Sequence, residues 1–152
     1  MSTATAGSRL VLGLHRLDTL HVAPAQRDDR AAECLALWTQ QVRDAVEPAL
    51  VLDADGRVTA MSAGAGALLG VDPSTCVGTR LLELIVLVDF TETGVPLVDA
   101  EMSAPPLRAL RSGRMSRGLM RLRLPLGTMP TYDVVGVPLA HGAGALGFLT
   151  EV

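Results

Sequence analysis

Arginine is the residue type with the clearest chemical potential in this chain. From Arg108 to Arg123 there are six arginines and no acidic residue. Three of them share one face of a predicted strand and form a candidate basic patch: Arg117, Arg121 and Arg123. Because guanidinium groups bind carboxylates and phosphates, this patch could attract an acidic partner or a phosphate-bearing molecule. A solvated face, or ion pairs with the acidic side of a helix in residues 28–47, is the commoner explanation.

Other reactive side chains are scattered along the sequence. Cys34 and Cys76 lie far apart in dissimilar surroundings, so neither a disulfide framework nor a metal or redox CxxC site is expected. Ser112 and Ser116 stand in the arginine-rich stretch without an evident base for nucleophilic catalysis. No glycine-rich phosphate loop follows a strand. We therefore expect a protein that is not an enzyme and holds no metal.

Composition limits the remaining classes. With 152 residues, 49% hydrophobic and 19% charged, the chain suits one globular domain plus an extension. The net charge of −3 argues against a nucleic-acid partner. No apolar run approaches the roughly 20 residues of a membrane span, and Arg9, Arg16 and Asp18 make a poor signal peptide of the N-terminus. We expect a cytoplasmic protein without a membrane partner.

The basic residues also indicate the source of the chain. All thirteen are arginine, and neither lysine nor asparagine occurs anywhere in the sequence. This bias indicates a GC-rich genome.

An extension and one long helix are predicted before the main domain. Residues 1–26 form the N-terminal extension, which is partly flexible and carries an apolar segment that weakly favours a helix over residues 10–22. Residues 27–47 form an amphipathic helix that Pro48 ends. Four residues of its apolar stripe are candidate contacts of a homodimer: Leu35, Trp38, Val42 and Val46. The stripe could also pack on its own domain, and the two arrangements are compatible.

Strands and short helices alternate from residue 48 onward. The pair Asp55-Gly56 predicts a hairpin with strands over 49–52 and 57–61, and Ser62 is a plausible N-cap for a helix over 63–69. Helices are expected after Gly78, through the run "LLELIVLV", and in "PPLRALRSG". Three further strands follow. This order predicts an α+β fold on a five-stranded antiparallel sheet.

The order and spacing of these pieces resemble the PAS fold, a bacterial sensory module, over residues 46–152. The resemblance is carried by "ALVLDADGRVTAMS", "AGALLGVD", "CVGTRLLEL", "PPLRALRSGR", "LRLPLGTMPTYDVVGVPL" and "GALGFLTEV". It implies a PAS-like domain over 48–152, with short helices on one face of the sheet and the amphipathic helix beside it. The outer sheet face should then offer apolar positions such as Leu119, Val135, Val137 and Leu149.

The resemblance also implies a pocket between the sheet and the short helices. PAS-like domains commonly hold haem, flavin, a small organic acid or nothing. Haem would need an axial histidine near residues 98–112, where none occurs, and His15, His21 and His141 lie outside the expected pocket. Cys76 in "STCVGTR" does not match the reactive cysteine of light-sensing flavin domains. We expect neither cofactor.

A small apolar ligand stays possible in that pocket. Its predicted lining is apolar with one polar group, the hydroxyl of Tyr132. The residues are Met61, Leu68, Leu84, Leu110, Met120, Leu122, Tyr132 and Phe148. The same side chains could simply fill the core.

These observations predict a stand-alone PAS-like signalling or regulatory module. It would sense a small apolar molecule, or mediate protein–protein interaction and dimerisation. A ligand-free dimerisation scaffold and a degenerate enzyme are the alternatives. Because the last predicted strand ends at Val152, output would run through self-association or through a signalling or transcription-regulating protein partner.

Overall fold

Six strands make up the sheet within residues 24–152, the part of the chain that the computed structural model describes. They are β1 (Ala49–Asp53), β2 (Val58–Met61), β3 (Val86–Val88), β4 (Ser116–Arg123), β5 (Thr131–Pro138) and β6 (Gly144–Glu151). Every neighbouring pair is antiparallel, in the order β2-β1-β6-β5-β4-β3. The predicted α+β fold on an antiparallel sheet is confirmed, with one strand more than expected.

The helices separate into two layers. They are α1 (Pro24–Arg43), α2 (Ala63–Leu69), α3 (Pro73–Cys76), α4 (Leu81–Leu84), α5 (Ala100–Ser103) and α6 (Pro105–Ser112), with a 3-10 turn at Ala140–Gly142. The short helices α2 to α6 cover one face of the sheet, which we call the inner face, and enclose the larger core cluster with it. Helix α1 packs on the opposite, outer face against β1, β2 and the 3-10 turn.

Helix α1 is shifted from its predicted bounds of 27–47. It begins at Pro24 and ends at Arg43, and the amide of Ala45 closes the last turn on the carbonyl of Val42 at 3.1 Å. Pro48 disfavours a helical conformation only in Glu47, the residue before it, so the helix ends earlier than the proline requires. The remainder of the predicted extension, including the segment 10–22, lies outside the described residues.

The hairpin and its following helix form as predicted. The carboxylate of Asp53 accepts hydrogen bonds from the amides of Asp55 and Arg57, at 2.9 and 3.0 Å, and Gly56 takes a φ of 78° in the turn. Ser62 caps α2 by accepting from the amide of Ala65 at 3.2 Å. A glycine with positive φ and hydrogen bonds from an Asp side chain to nearby amides are typical of such turns, so the sequence predicts this hairpin correctly.

The prediction of one continuous helix after Gly78 was wrong beyond Leu84. The single turn of α4 is followed at once by strand β3, whose Val86 and Val88 pair with Arg123 and Arg121 of β4. The run "LLELIVLV" is apolar throughout and so carries no clear period. Pairing with a strand some 35 residues away decides its structure.

Candidate functional site

Most of the predicted pocket residues lie together on the inner face. Six of the eight belong to the inner cluster or pack against it: Met61, Leu68, Leu84, Met120, Leu122 and Tyr132. Four of these six are almost fully buried, with exposed fractions of 4% or less. Their contact with a ligand stays a prediction, because the same packing fills a core.

Phe148 and Leu149 exchange the faces that the sequence predicted for them. Phe148 lies on the outer face and is 38% exposed, whereas Leu149 is 3% exposed in the inner cluster. Strand β6 pairs Phe148 with Ala49 and Gly147 with Leu50, so the register with β1 decides which residues point inward. Placing the larger aromatic side chain inside was therefore wrong.

Leu110 also lies apart from the other predicted pocket residues. It borders an open cleft beside the β1–β2 turn, with Gly56 and Leu107, at the end of α6. The helical spacing from Leu107 to Leu110 keeps both on one side of α6, but only Leu107 packs against the inner cluster.

Helix α6 occupies the space above the middle of the inner face. Pro105 and Pro106 are fully buried and sit over Gly136 of β5 and Gly147 of β6. A Cβ atom added to Gly136 would lie 2.7 Å from the amide nitrogen of Pro106, and one added to Gly147 would lie 2.9 Å from its Cγ. The two glycines thus let the helix lie directly on the sheet.

Tyr132 uses its hydroxyl inside the core. The hydroxyl donates a hydrogen bond to the carbonyl of Leu68, in the last turn of α2, where helix carbonyls lack partners. Burial raises the pKa of the Tyr132 phenol, and the nearby Glu151 carboxylate raises this pKa further. The one polar group of the predicted pocket therefore fastens α2 to the sheet.

Replacing Tyr132 by phenylalanine is expected to lower the free energy of unfolding by about 1–2 kcal/mol, because the carbonyl of Leu68 loses its donor. Urea denaturation measures the change. Thr131→Val, which removes a hydroxyl from the adjacent residue, serves as the control and should stay within about 0.5 kcal/mol of the parent. Equal stability of Tyr132→Phe and the parent would contradict the assigned bond.

An open cleft, which we call the helix-side cleft, lies at one end of the inner face. It has a volume of about 290 Å³ and lies between the end of α2, the α4–β3 junction and the end of β4. Its walls are Leu69, Leu84, Ile85, Val86, Leu122, Arg123, Leu124 and Pro125. Small-molecule sites begin at about 300 Å³, so this cleft could hold only a small apolar molecule.

The arginines of the basic patch have partners within the domain. Arg117 forms a two-point ion pair with Asp133 on β5, with Nε–Oδ1 at 3.1 Å. Arg121 donates to the carbonyls of Asp89 and Thr91, and Arg123 to those of Thr93 and Gly94. The predicted alternative of ion pairs with α1 was therefore wrong, since these three side chains hold a neighbouring strand and the loop after β3.

Two carboxylates near the patch respond to these contacts. The hydrogen bond from Arg117 holds the pKa of Asp133 below its usual value. The hydroxyl and amide of Thr91 do the same for the pKa of Asp89, which also accepts from the amide of Val95 at 3.0 Å. Both acids are ionised at neutral pH. Asp133 accepts from Arg117 on the neighbouring strand, and Asp89 accepts from residues of the loop after β3.

The predicted dimer contacts of α1 divide into two pairs. Val42 is 4% exposed, and it packs with the half-buried Leu35 against the outer face of its own sheet. Trp38 is 37% exposed and Val46 is 90% exposed, so these two keep apolar surface free. The stripe thus packs on its own domain, the alternative that the sequence left open, and still leaves side chains available.

The thiols and the one described histidine lie in separate environments. Cys76 is 1% exposed in the inner cluster, and its Sγ donates to the carbonyl of Asp72 at 3.1 Å. Burial raises the pKa of this thiol, which keeps it protonated and unreactive. His141 is exposed in the 3-10 turn. Within residues 24–152, no group of three His, Cys, Asp or Glu side chains is placed to hold a metal ion, and no helix could span a membrane.

Comparison with known proteins agrees with this architecture. A family model described as PAS fold matches residues 42–152. The PAS domain of a protein from Colwellia psychrerythraea has a similar structure, with a TM-score of 0.54 and 15% identity over 78% of this chain and 96% of that one. No curated protein matches the chain.

Two further structures share this fold. The PAS domain of nitrogen regulation protein NR(II) from Vibrio parahaemolyticus is 14% identical, with a TM-score of 0.52 over 76% of this chain and 98% of that one. The LOV protein of Rhodobacter sphaeroides is also 14% identical, with a TM-score of 0.57 over 82% and 68% of the two chains. Such identities show a shared fold alone.

Proposed function

Because the chain belongs to the PAS fold family, whose model matches residues 42–152, we propose that it is a regulatory module that transmits a signal by contact between proteins. Self-association is the contact we assign first. No catalytic role is included, and the downstream partner is a signalling or transcription-regulating protein.

The filled inner face is the observation that carries this proposal. Pro105 and Pro106 lie directly on Gly136 and Gly147, and the hydroxyl of Tyr132 is bonded within the core. A module whose interior is packed responds more readily through its surface than through an enclosed ligand. We therefore expect the outer face of the sheet to make the proposed protein contacts.

The outer face keeps apolar side chains that α1 leaves partly or fully uncovered, with Val137 at the border of the cluster beneath α1. We call the set Leu119, Val135, Val137 and Phe148 the outer patch. Leu119 is 53% exposed and Phe148 is 38% exposed, while Val135 and Val137 are half-buried. Val135 lies beside Phe148, whereas Leu119 lies opposite Asp133, so the Arg117–Asp133 ion pair borders the patch. Exposed apolar side chains on a sheet face are typical of interaction sites.

A second copy of the chain is the occupant that fits this surface. Each copy offers an uncovered sheet surface, the outer patch, and a helix with free apolar side chains, Leu37 at 58% and Trp38 at 37% exposure. In a two-fold dimer, the helix of one protomer can cover the outer patch of the other, and the reverse contact follows by symmetry. Tryptophan is also a common anchor of such interfaces.

Introducing a negative charge on the outer patch should separate the protomers. We expect the parent to sediment as a dimer and Leu119→Glu or Phe148→Glu to sediment as monomers, because burying an unpaired carboxylate in the interface is costly. Analytical ultracentrifugation over a concentration series gives the change, and circular dichroism confirms that each variant is folded.

The matched control for this experiment is Leu126→Glu. Leu126 is 96% exposed in the β4–β5 turn, away from the outer patch, so the same change there should leave the dimer intact. A parent that stays monomeric at the highest concentration reached would contradict self-association. A dimer unaffected by both patch variants would place the interface elsewhere.

Sensing of a small apolar molecule is the second candidate, and the helix-side cleft favours it. Its volume of about 290 Å³ would admit only a compact ligand between Leu84 and Leu122. Native mass spectrometry of the purified protein distinguishes the two candidates. A retained molecule whose binding is lost in Leu84→Trp, which fills the cleft, would favour sensing, whereas a ligand-free dimer favours the interaction module.

We also propose a cytoplasmic location. Cys34 and Cys76 are free thiols: Cys34 lies on α1 and packs against the outer cluster, and Cys76 is buried in the inner cluster. Free thiols are typical of proteins in a reducing compartment. Fluorescence imaging of the tagged protein in its own cell tests this assignment.

A further inference from the structure

Strand β4 has a free edge beyond the end of β3. Only residues 121–123 of β4 pair with β3, whereas pairing with β5 extends back to Ser116. The amide of Leu122 donates to the carbonyl of Pro130 on the β5 side, and this direction alternates along an antiparallel strand. The backbone groups of Leu119 and Arg117 therefore point away from β5, towards the free edge.

A cleft of about 420 Å³ opens along this edge, which we call the edge cleft. The segment after β3, helix α5 and the side chain of Arg108 on α6 form its other walls. Phe90 and Met102, 63% and 51% exposed, give it an apolar rim. Arg108, Arg117 and Arg121 give it a basic lining.

Arg108 differs from the other two arginines in its contacts. Its Nη2 donates to the carbonyl of Arg117 at 3.2 Å, and Gly118 leaves room for the guanidinium, since a Cβ there would lie 3.0 Å from Nη2. Its Nε is buried and has no hydrogen-bond acceptor among the described residues. A buried donor without an acceptor costs free energy, so a site of this kind favours an incoming acceptor.

The two acidic groups near the cleft already accept hydrogen bonds from other residues of the domain. The Asp89 carboxylate accepts from Thr91 and Val95, and Asp133 is paired with Arg117. Arg121 is held by neutral carbonyls of the loop after β3. Asp133 offsets the charge of Arg117, and Asp89 keeps its own negative charge, so the three arginines leave an excess of one positive charge at the cleft. Arg108 lacks a carboxylate partner among the described residues.

We propose that the edge cleft binds a small anion with an apolar body, with the guanidinium of Arg108 as its anchor. The carboxylate or phosphate group lies against Arg108 and the free edge of β4, and the apolar body lies against Phe90 and Met102. The site shares Leu119 with the outer patch, whereas Arg108, Phe90 and Met102 lie outside that patch and outside the helix-side cleft. Loss of the dimer in Phe148→Glu would leave these three side chains in place, so the two proposals can fail independently.

Amide NMR of the 15N-labelled protein tests the proposal with three probes. 3-Phenylpropionate and phenyl phosphate carry the anionic group on an apolar body, and 3-phenylpropanol is the neutral counterpart. We expect at least one anion to shift the amide of Leu119 and those of residues 89–90, and to bind at least about tenfold more tightly than the alcohol, since hydrogen bonds to charged groups are strong. Which anion binds distinguishes a carboxylate ligand from a phosphate one.

Variants of Arg108 complete the test. Arg108→Gln should weaken anion binding about tenfold or more. Arg108→Lys keeps the positive charge but lacks the planar guanidinium, so it should weaken binding less. Arg114→Gln removes the same charge from an exposed position outside the cleft and should leave binding unchanged. Unshifted amides with every probe, equal binding of the alcohol, or tight binding to folded Arg108→Gln would each overturn the proposal.

Discussion

Alanine at Gly136 is expected to destabilise the domain by about 3 kcal/mol or more, since overpacking a core site against rigid backbone is among the costlier single changes. The added Cβ would lie 2.7 Å from the amide nitrogen of Pro106, and even closer to the carbonyl group of Pro105. Backbone atoms cannot rotate away as a flexible side chain can. The helix must move off the sheet, or the strand must bend. Thermal and urea unfolding measure the loss.

Two other glycines calibrate this result. Gly147→Ala meets the ring of Pro106 at 2.9 Å rather than its backbone, so a smaller loss is expected there. Gly127→Ala points into open space in the β4–β5 turn and should cost only the left-handed strain of its φ of 93°, about 1–2 kcal/mol. If Gly136→Ala is no less stable than Gly127→Ala, helix α6 does not lie on the sheet as described.

Local chemistry explains the parts of the fold that the sequence made predictable. The Asp55-Gly56 turn, the cap at Ser62 and the proline-opened helix α6 each depend on residues within a few positions of one another. Turn and cap preferences act over that distance, and the structure confirms all three.

The parts that were missed depend on pairing between distant segments. Strand β3 forms because Val86 and Val88 pair with β4. Phe148 faces outward because it pairs with Ala49 of β1. Neither the identity of a partner strand nor its register is visible in a single apolar run. The sequence predicted β6 as a strand correctly, but it assigned Phe148 and Leu149 to the wrong faces.

Arginine chemistry was misjudged for a related reason. The alternation of Arg117, Arg121 and Arg123 was real, but the loop after β3 supplies acceptors that are backbone carbonyls, which every sequence contains. Among the described residues, Asp133 is the acidic side chain that forms an ion pair with one of these three arginines. Arg108, on a helix rather than the strand, is the arginine with a buried donor left over, and no spacing rule singled it out.

Ser62→Ala is expected to lower the free energy of unfolding by about 3 kcal/mol, because each buried donor left without an acceptor costs about 1–3 kcal/mol. The Ser62 side chain is fully buried, accepts from the amides of Ala49 and Ala65, at 2.9 and 3.2 Å, and donates to the carbonyl of Glu47 at 2.9 Å. One hydroxyl thus joins β1, the start of α2 and the segment that follows α1.

The same hydroxyl links helix α2 on the inner face to the segment that leads from α1 into β1. Urea denaturation measures the change, and Ser112→Ala, at an exposed position at the end of α6, is the matched control that should stay within about 0.5 kcal/mol of the parent. Hydrogen exchange should also quicken at the amides of Ala49 and Ala65 in Ser62→Ala. Unchanged exchange at these amides, with a stability loss no larger than that of Ser112→Ala, would mean that Ser62 does not link helix α2 to the strand on which α1 packs.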